Sequence, residues 1–151
     1  MELRSLQDTK NFSKKISKII KDGQIIFLYG EIGVGKTTFA RQLINYLQKK
    51  NNLKQSHVLS PTFNIVYDYE FKLYKIMHYD LYRIKSEKEM NQLGIFENSE
   101  NCIKVIEWPE LIRSKIENKL EIYFSYADEL NSRNVKVLGF GKWKKFKLDE
   151  I

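Results

Sequence analysis

The chain is 151 residues long, 42% hydrophobic, and carries a formal net charge of +7, which fits one domain of ordinary size spanning 1–151 and excludes low-complexity and repeat architectures. No apolar run reaches the roughly 18 residues of a membrane helix, and the polar opening MELRSLQDTKNFSKK lacks the apolar stretch of a secretory signal, so a soluble, cytoplasmic protein with no membrane partner is expected. Cys102 is the only cysteine, which excludes an internal disulfide or a multi-thiolate metal site and leaves a packing role in a buried strand.

The first predicted element is a helix over residues 8–21, with Phe12, Ile16, Ile19 and Ile20 on one face and Asp22-Gly23 as its stop. Gln24 to Tyr29 is a short, β-rich apolar run, the pattern of a strand buried on both faces. It leads into GEIGVGKTT, where Gly30, Gly35, Lys36 and Thr37 satisfy the G-x-x-x-x-G-K-[ST] pattern of a phosphate-binding loop. Glycines let the backbone wrap closely around phosphates, Lys36 reaches the β/γ-phosphates, and the Thr37 hydroxyl takes Mg²⁺. Glu31, Gly33, Val34, Gly35, Lys36, Thr37 and Thr38 are therefore the candidate nucleotide-binding residues. Behind the loop, Phe39, Leu43, Ile44 and Leu47 recur at helical spacing as far as the polar Lys49-Lys50-Asn51-Asn52.

LSPTFNIVYDY follows that helix, where a nucleotide-sensing switch is commonly placed. Ser60 and Thr62 flank a stiffening proline, and a hydroxyl here can sense the γ-phosphate. FNIVYDYEFKLYKIMHYDLY is aromatic and β-branched with a polar break near Glu70-Lys72, which predicts an antiparallel hairpin. His78 lies two residues before Asp80, on the same side of the second arm; without a second ligand-spaced His or Cys it reads as a structural histidine. Ser86 to Leu93 predicts a short helix closed by Gly94, with Ser86 and Glu89 forming a capping box. Cys102 to Glu107 is another buried strand ending in a carboxylate, followed by Trp108, which suits either core packing or a cover over the nucleotide. A helix is expected over Pro109–Asn118, then strands at KLEIYFSY and NVKVLGF. The sum is an α/β chain with a mixed, partly antiparallel sheet.

Lysine outnumbers arginine 21 to 5, an excess that suits an anionic partner such as nucleic acid and follows equally from lysine-, isoleucine- and asparagine-rich coding. The lysine-rich tail over 139–151 interleaves Lys142, Lys144, Lys145 and Lys147 with Trp143 and Phe146, a pattern shared by an RNA- or partner-contacting segment and by an edge strand kept soluble with lysines.

A nucleoside triphosphatase needs a carboxylate for Mg²⁺ and a group to orient the attacking water. Asp80 and Glu107 both close strands, where the ligand crevice opens in such folds, and either suits either role.

Taken together, GEIGVGKTTFAR, SPTFNIVYDY, HYDLYR, LGIFE and VIEWPE, in that order from about residue 5 to about residue 140, make the chain resemble the TsaE (YjeE) family of bacterial ATPases. The resemblance implies a three-layer P-loop NTPase fold with a mixed sheet, ATP and Mg²⁺ as cofactors, and hydrolysis that supports the TsaB and TsaD proteins in forming threonylcarbamoyladenosine beside the anticodon of tRNA. Transfer itself would belong to TsaD, and tRNA would be reached only through that complex. Residue by residue, Gly33, Gly35, Lys36, Thr37 and Thr38 match the loop and Thr62 the switch threonine. Asp80 and Glu107 match the acids linked to Mg²⁺ and hydrolysis, which makes Lys36, Thr62, Asp80 and Glu107 the candidate catalytic residues and Thr37, Asp80 and Glu107 the candidate metal ligands. Arg83 and Trp108 match further motif positions, and Asp8 and Thr9 fall near the base. Val34 replaces a common alanine, and Asn98-Ser99-Glu100-Asn101 a more aromatic link; neither change removes a chemical group.

A small-molecule or nucleotide kinase is the alternative, since the same loop serves phosphoryl transfer. A kinase also needs an acceptor pocket and an arginine-rich lid, whereas Arg4, Arg41, Arg83, Arg113 and Arg133 are scattered along the chain. A GTPase is disfavoured because the nearest guanine-reading segment is NKLE at 118–121.

Overall fold

The computed structural model describes residues 1–21, 23–97, 100–127 and 131–145. Asp22, Asn98, Ser99, Phe146 and Lys147, which figure in the expectations above, lie outside the described residues.

The chain runs β1 (Glu2–Leu3), α1 (Leu6–Ile19), β2 (Ile25–Tyr29), α2 (Lys36–Lys50), β3 (Val66–Glu70), β4 (Lys75–Asp80), α3 (Glu87–Asn91), β5 (Cys102–Glu107), a 3₁₀ helix (Glu110–Lys115), β6 (Lys119–Tyr126), β7 (Arg133–Phe140) and a 3₁₀ turn (Gly141–Trp143). The seven strands form one sheet in the order β1-β7-β6-β2-β5-β4-β3. Its four central strands are parallel, while β3 pairs antiparallel with β4 and β7 with both β6 and β1. The α/β fold with a mixed sheet is thus as the sequence predicts.

Burial divides the apolar residues into two layers. One face packs Phe12 and Ile16 of α1 and Phe39, Leu43 and Leu47 of α2 against Ile26, Leu28, Val105 and Ile122. The other packs Met90 of α3, Ile95 and Ile112 against Phe27, Tyr79 and Ile106. β2 and β5 contribute to both faces, which is why β2 reads as an unbroken apolar run and β5 as one interrupted only by Lys104, whose buried ammonium donates to the Ile95 and Glu97 carbonyls at 2.7 Å. Cys102 is buried in β5, and the hairpin forms with Val66 opposite Tyr79 and Glu70 opposite Lys75.

Several details differ from expectation. α1 starts at Leu6, two residues before the expected start, because the Ser5 hydroxyl accepts from the Asp8 N–H at 3.1 Å and donates to the Asp8 carboxylate at 2.9 Å, a cap built with Asp at the third helical position. The segment after Pro109 is a 3₁₀ helix over Glu110–Lys115, shorter than the expected helix over 109–118; only Ile112 is buried on it, and the Lys119 ammonium ties the Arg113 and Ile116 carbonyls. Glu2–Leu3, too short for any periodicity, adds an edge strand. Among the described residues the tail does not continue as an edge strand: Gly141–Trp143 turns back, and Trp143 packs on the core beside β7. At Ser86 the cap forms as expected, its hydroxyl accepting from the Glu89 N–H at 3.3 Å and donating to the Glu89 carboxylate at 2.7 Å. Among the described residues no helix is long and apolar enough to cross a membrane.

Phe12 has no exposed surface and its ring lies 5.1 Å from that of Phe39, so this pair is one of the contacts that fasten α1 to α2. Phe12→Ala is expected to cost about 3–5 kcal/mol of unfolding free energy in urea denaturation; a loss under about 1 kcal/mol would contradict this packing.

Candidate functional site

The parallel strands β2, β4 and β5 all end at one rim of the sheet, where Tyr29 leads into the glycine loop, Asp80 closes β4 and Glu107 closes β5. Asp80 and Glu107 are direct register partners, so parallel pairing alone sets the two carboxylates side by side. The loop between β2 and α2 turns at Gly30 with φ of +136°, where an added Cβ would stand 2.4 Å from the Phe124 carbonyl oxygen. Gly35, at φ of +117°, precedes α2 and offers no side-chain cap. The first N–H groups of α2 are therefore available to an anion at the positive end of the helix.

Lys36 is 4% exposed, and its ammonium donates to the carbonyls of Gly30 at 2.6 Å and Glu31 at 2.9 Å while lying 3.9 Å from the centre of the Trp108 ring. Burial lowers its pKa from the ordinary lysine value, and the carboxylates of Glu107, Asp80 and Glu110 oppose that shift. The Thr37 hydroxyl donates to one oxygen of Glu107 at 3.0 Å, and the other oxygen of Glu107 lies 2.8 Å from His78 Nε2. Asp80 accepts from the Thr62 hydroxyl at 2.7 Å and from the Tyr82 N–H at 3.0 Å, and Ser60 is hydrogen-bonded to Thr62 at 2.9 Å.

These groups border one cavity of about 300 Å³, lined by Ile32, Gly33, Gly35, Lys36, Thr37, Thr38, Ser60, Thr62, Asp80, Tyr82, Glu107 and Trp108. The sequence-selected Gly33, Gly35, Lys36, Thr37, Thr38, Thr62, Asp80 and Glu107 are thus brought together. Glu31 contributes only its carbonyl, to Lys36. Val34 is buried against the core, with its carbonyl accepting from Arg133 at 3.3 Å. Arg83 is exposed and does not line this cavity. Trp108 does both things the sequence allowed, lining the cavity and packing against the second core layer: it adopts φ of +56° and its ring meets that of Tyr82 with centres 4.9 Å apart. Tyr82 was not selected from the sequence, although it is the second tyrosine of the HYDLYR motif. His78 is structural in burial but contacts Glu107 directly.

A second cavity of about 370 Å³ opens on the other side of the loop and shares Gly33, Gly35 and Thr38 with the first; Thr9, Arg4, Phe124 and Arg133 also line it. Asp8 does not, being spent on the cap of α1.

Among the described residues no group of three or more His, Cys, Asp or Glu side chains forms a metal cage. The hydroxyl of Thr37 and the carboxylates of Glu107 and Asp80 are hard oxygen donors. Such a sparse set fits Mg²⁺, which keeps waters and takes its remaining ligands from phosphates.

Comparison with known proteins places this site in context. A family model described as "Threonylcarbamoyl adenosine biosynthesis protein TsaE" matches residues 3–135. A Rickettsia bellii protein named tRNA threonylcarbamoyladenosine biosynthesis protein TsaE is 38% identical over 128 residues, covering 84% of this chain and 86% of its own. A Borreliella burgdorferi protein of the same name is 34% identical over 144 residues, covering 94% of each chain. The crystal structure of Bacillus subtilis YdiB superposes with a TM-score of 0.74 at 22% identity, covering 99% of this chain and 90% of that one, and shares the fold.

The turn at Gly30 supports a direct prediction. Its backbone region is one that L-residues avoid, and a methyl group would overlap the Phe124 carbonyl. Gly30→Ala is expected to cost at least about 1–3 kcal/mol from backbone strain, read as a lowered thermal midpoint; an unchanged midpoint would contradict the geometry of the loop.

Proposed function

The chain belongs to the TsaE family, and on that premise we propose that it is an ATPase serving the formation of threonylcarbamoyladenosine next to the anticodon of tRNA. It would bind and hydrolyse ATP to drive turnover of a TsaB–TsaD complex, reaching tRNA only through that complex. The nucleotide part of this reading is carried by one observation, the convergence of Lys36, Thr37, Thr62, Asp80 and Glu107 on a single cavity at the end of the phosphate-binding loop. The pathway is supported by the family and by the names of the relatives.

Lys36 exchanges the carbonyls of Gly30 and Glu31 for the β/γ-phosphates. Thr37 and Glu107, already hydrogen-bonded to each other, are assigned to Mg²⁺. When bound there, the ion neutralises phosphate charge and polarises the scissile group. Asp80, which holds the Thr62 hydroxyl, is assigned to orient water, with Thr62 reporting the γ-phosphate. The loop residues Glu31, Gly33, Val34, Gly35 and Thr38 supply the backbone cradle, and the second cavity beside Thr9 and Arg133 takes the base.

No observation favours the kinase alternative. Among the described residues lining the phosphate cavity there is no arginine, so the charge that develops on the transferred group lacks an internal cation beyond Lys36. The free protein should accordingly hydrolyse ATP slowly and be stimulated by a partner that completes the site.

Two outcomes test this reading. In nucleotide titration alongside phosphate release, Lys36→Ala is expected to weaken ATP binding, whereas Glu107→Ala mainly slows hydrolysis; unchanged hydrolysis in the Glu107 variant would remove its role. Adding TsaB and TsaD is expected to raise turnover, and equal turnover with and without them would refute partner stimulation.

A further inference from the structure

We propose that His78 is a positioning residue that fixes which oxygen of Glu107 faces the phosphate cavity, an inference that rests on the assignment of Glu107 to the nucleotide site. His78 and Asp80 project from the same side of β4, and their register partners on β5 are Val105 and Glu107. The imidazole is fully buried, Glu107 is 2% exposed, and Nε2 stands 2.8 Å from Oε1 of Glu107. Oε2 of the same carboxylate accepts from Thr37. The two oxygens thus have separate duties, one turned inward to the ring and one outward to the loop.

The opposite ring nitrogen indicates the tautomer. Nδ1 of His78 is buried without a hydrogen-bond partner among the described residues. An ionised carboxylate only accepts, so the Nε2 that faces it carries the hydrogen and Nδ1 keeps a bare lone pair. The reverse tautomer would set two acceptors against each other and bury an orphaned N–H. Without the donor, the Glu107 carboxylate is free to turn and offer both oxygens to Thr37 and Lys36. His78 does not line the cavity and acts only through Glu107, as second ligands do around metal-binding carboxylates.

The test compares His78→Leu, which keeps apolar volume without a donor, with His78→Gln, whose amide N–H reaches about the place of Nε2. In nucleotide-free wild type, ring ¹⁵N spectra are expected to show His78 protonated at Nε2, with that signal displaced in Glu107→Gln. A ring protonated at Nδ1 alone, or a signal indifferent to Glu107→Gln, would overturn the proposal. In ATP turnover, kcat divided by the Mg²⁺ concentration for half-maximal rate is expected to fall about 10–100-fold in His78→Leu. Nucleotide affinity without Mg²⁺ should be unchanged, and His78→Gln should recover most of the loss. Wild-type behaviour of His78→Leu, or equal failure of both variants at an unaltered melting temperature, would overturn it. If His78→Leu does not fold, recovery in His78→Gln and the spectra decide by the same criteria. If wild type hydrolyses no ATP, the ATPase reading fails, and the spectra still decide whether His78 orients Glu107.

Discussion

Two carboxylates in register at the ends of neighbouring parallel strands are the constraint around which this molecule is arranged. Asp80 and Glu107 are 5% and 2% exposed, and adjacent buried acids repel unless each is supplied with donors. The supply comes from several segments at that rim: Thr37 from the start of α2, Thr62 from the segment before β3, the Tyr82 N–H just past β4, and His78 from within β4. Lys36 adds a buried cation whose own desolvation these same acids oppose without cancelling. Charge balance and fold are therefore a single problem here, and a polyphosphate with its divalent cation is a group that would exchange for these internal contacts.

Backbone conformation follows the same demand. Trp108 and Ile65 adopt positive φ of +56° and +67°, uncommon for an aromatic residue and an outlier for a β-branched one. Both flank the acids: Trp108 follows Glu107, and the Ile65 carbonyl accepts from the Asp80 N–H at 2.9 Å. Strain of this kind persists where surrounding contacts over-determine the chain. The Trp108 ring lies against Lys36, and the Thr62 hydroxyl donates to Asp80.

Much of this was legible in the sequence because it is encoded locally. The loop is a contiguous motif, and the runs at Ile25–Tyr29 and Cys102–Glu107 announce strands buried on both faces, so the strand, loop and helix around Lys36 and the acids at strand ends could be named in advance. What escaped depends on contacts far apart in the chain. β1 exists only because β7 receives it, and the second cavity joins Thr9 to Arg133 across the loop. The Ser5 cap uses Asp8 where a Glu or Gln is the stronger signal. Trp143 sits in a lysine-rich segment that reads as a solvated edge yet folds back on the core. His78 was recognisable as buried from its place in the hairpin, but its pairing with Glu107 requires the strand register.

The central claim, that nucleotide turnover at this site cycles a tRNA-modifying complex, is tested most directly by mass spectrometry of tRNA nucleosides. The reactions run for many turnovers with TsaB, TsaD, a threonylcarbamoyl-adenylate supply and ATP, and contain the intact protein, its Lys36→Ala form, or neither. The account predicts modification beyond one round only with the intact protein. Equal modification in all three would contradict it.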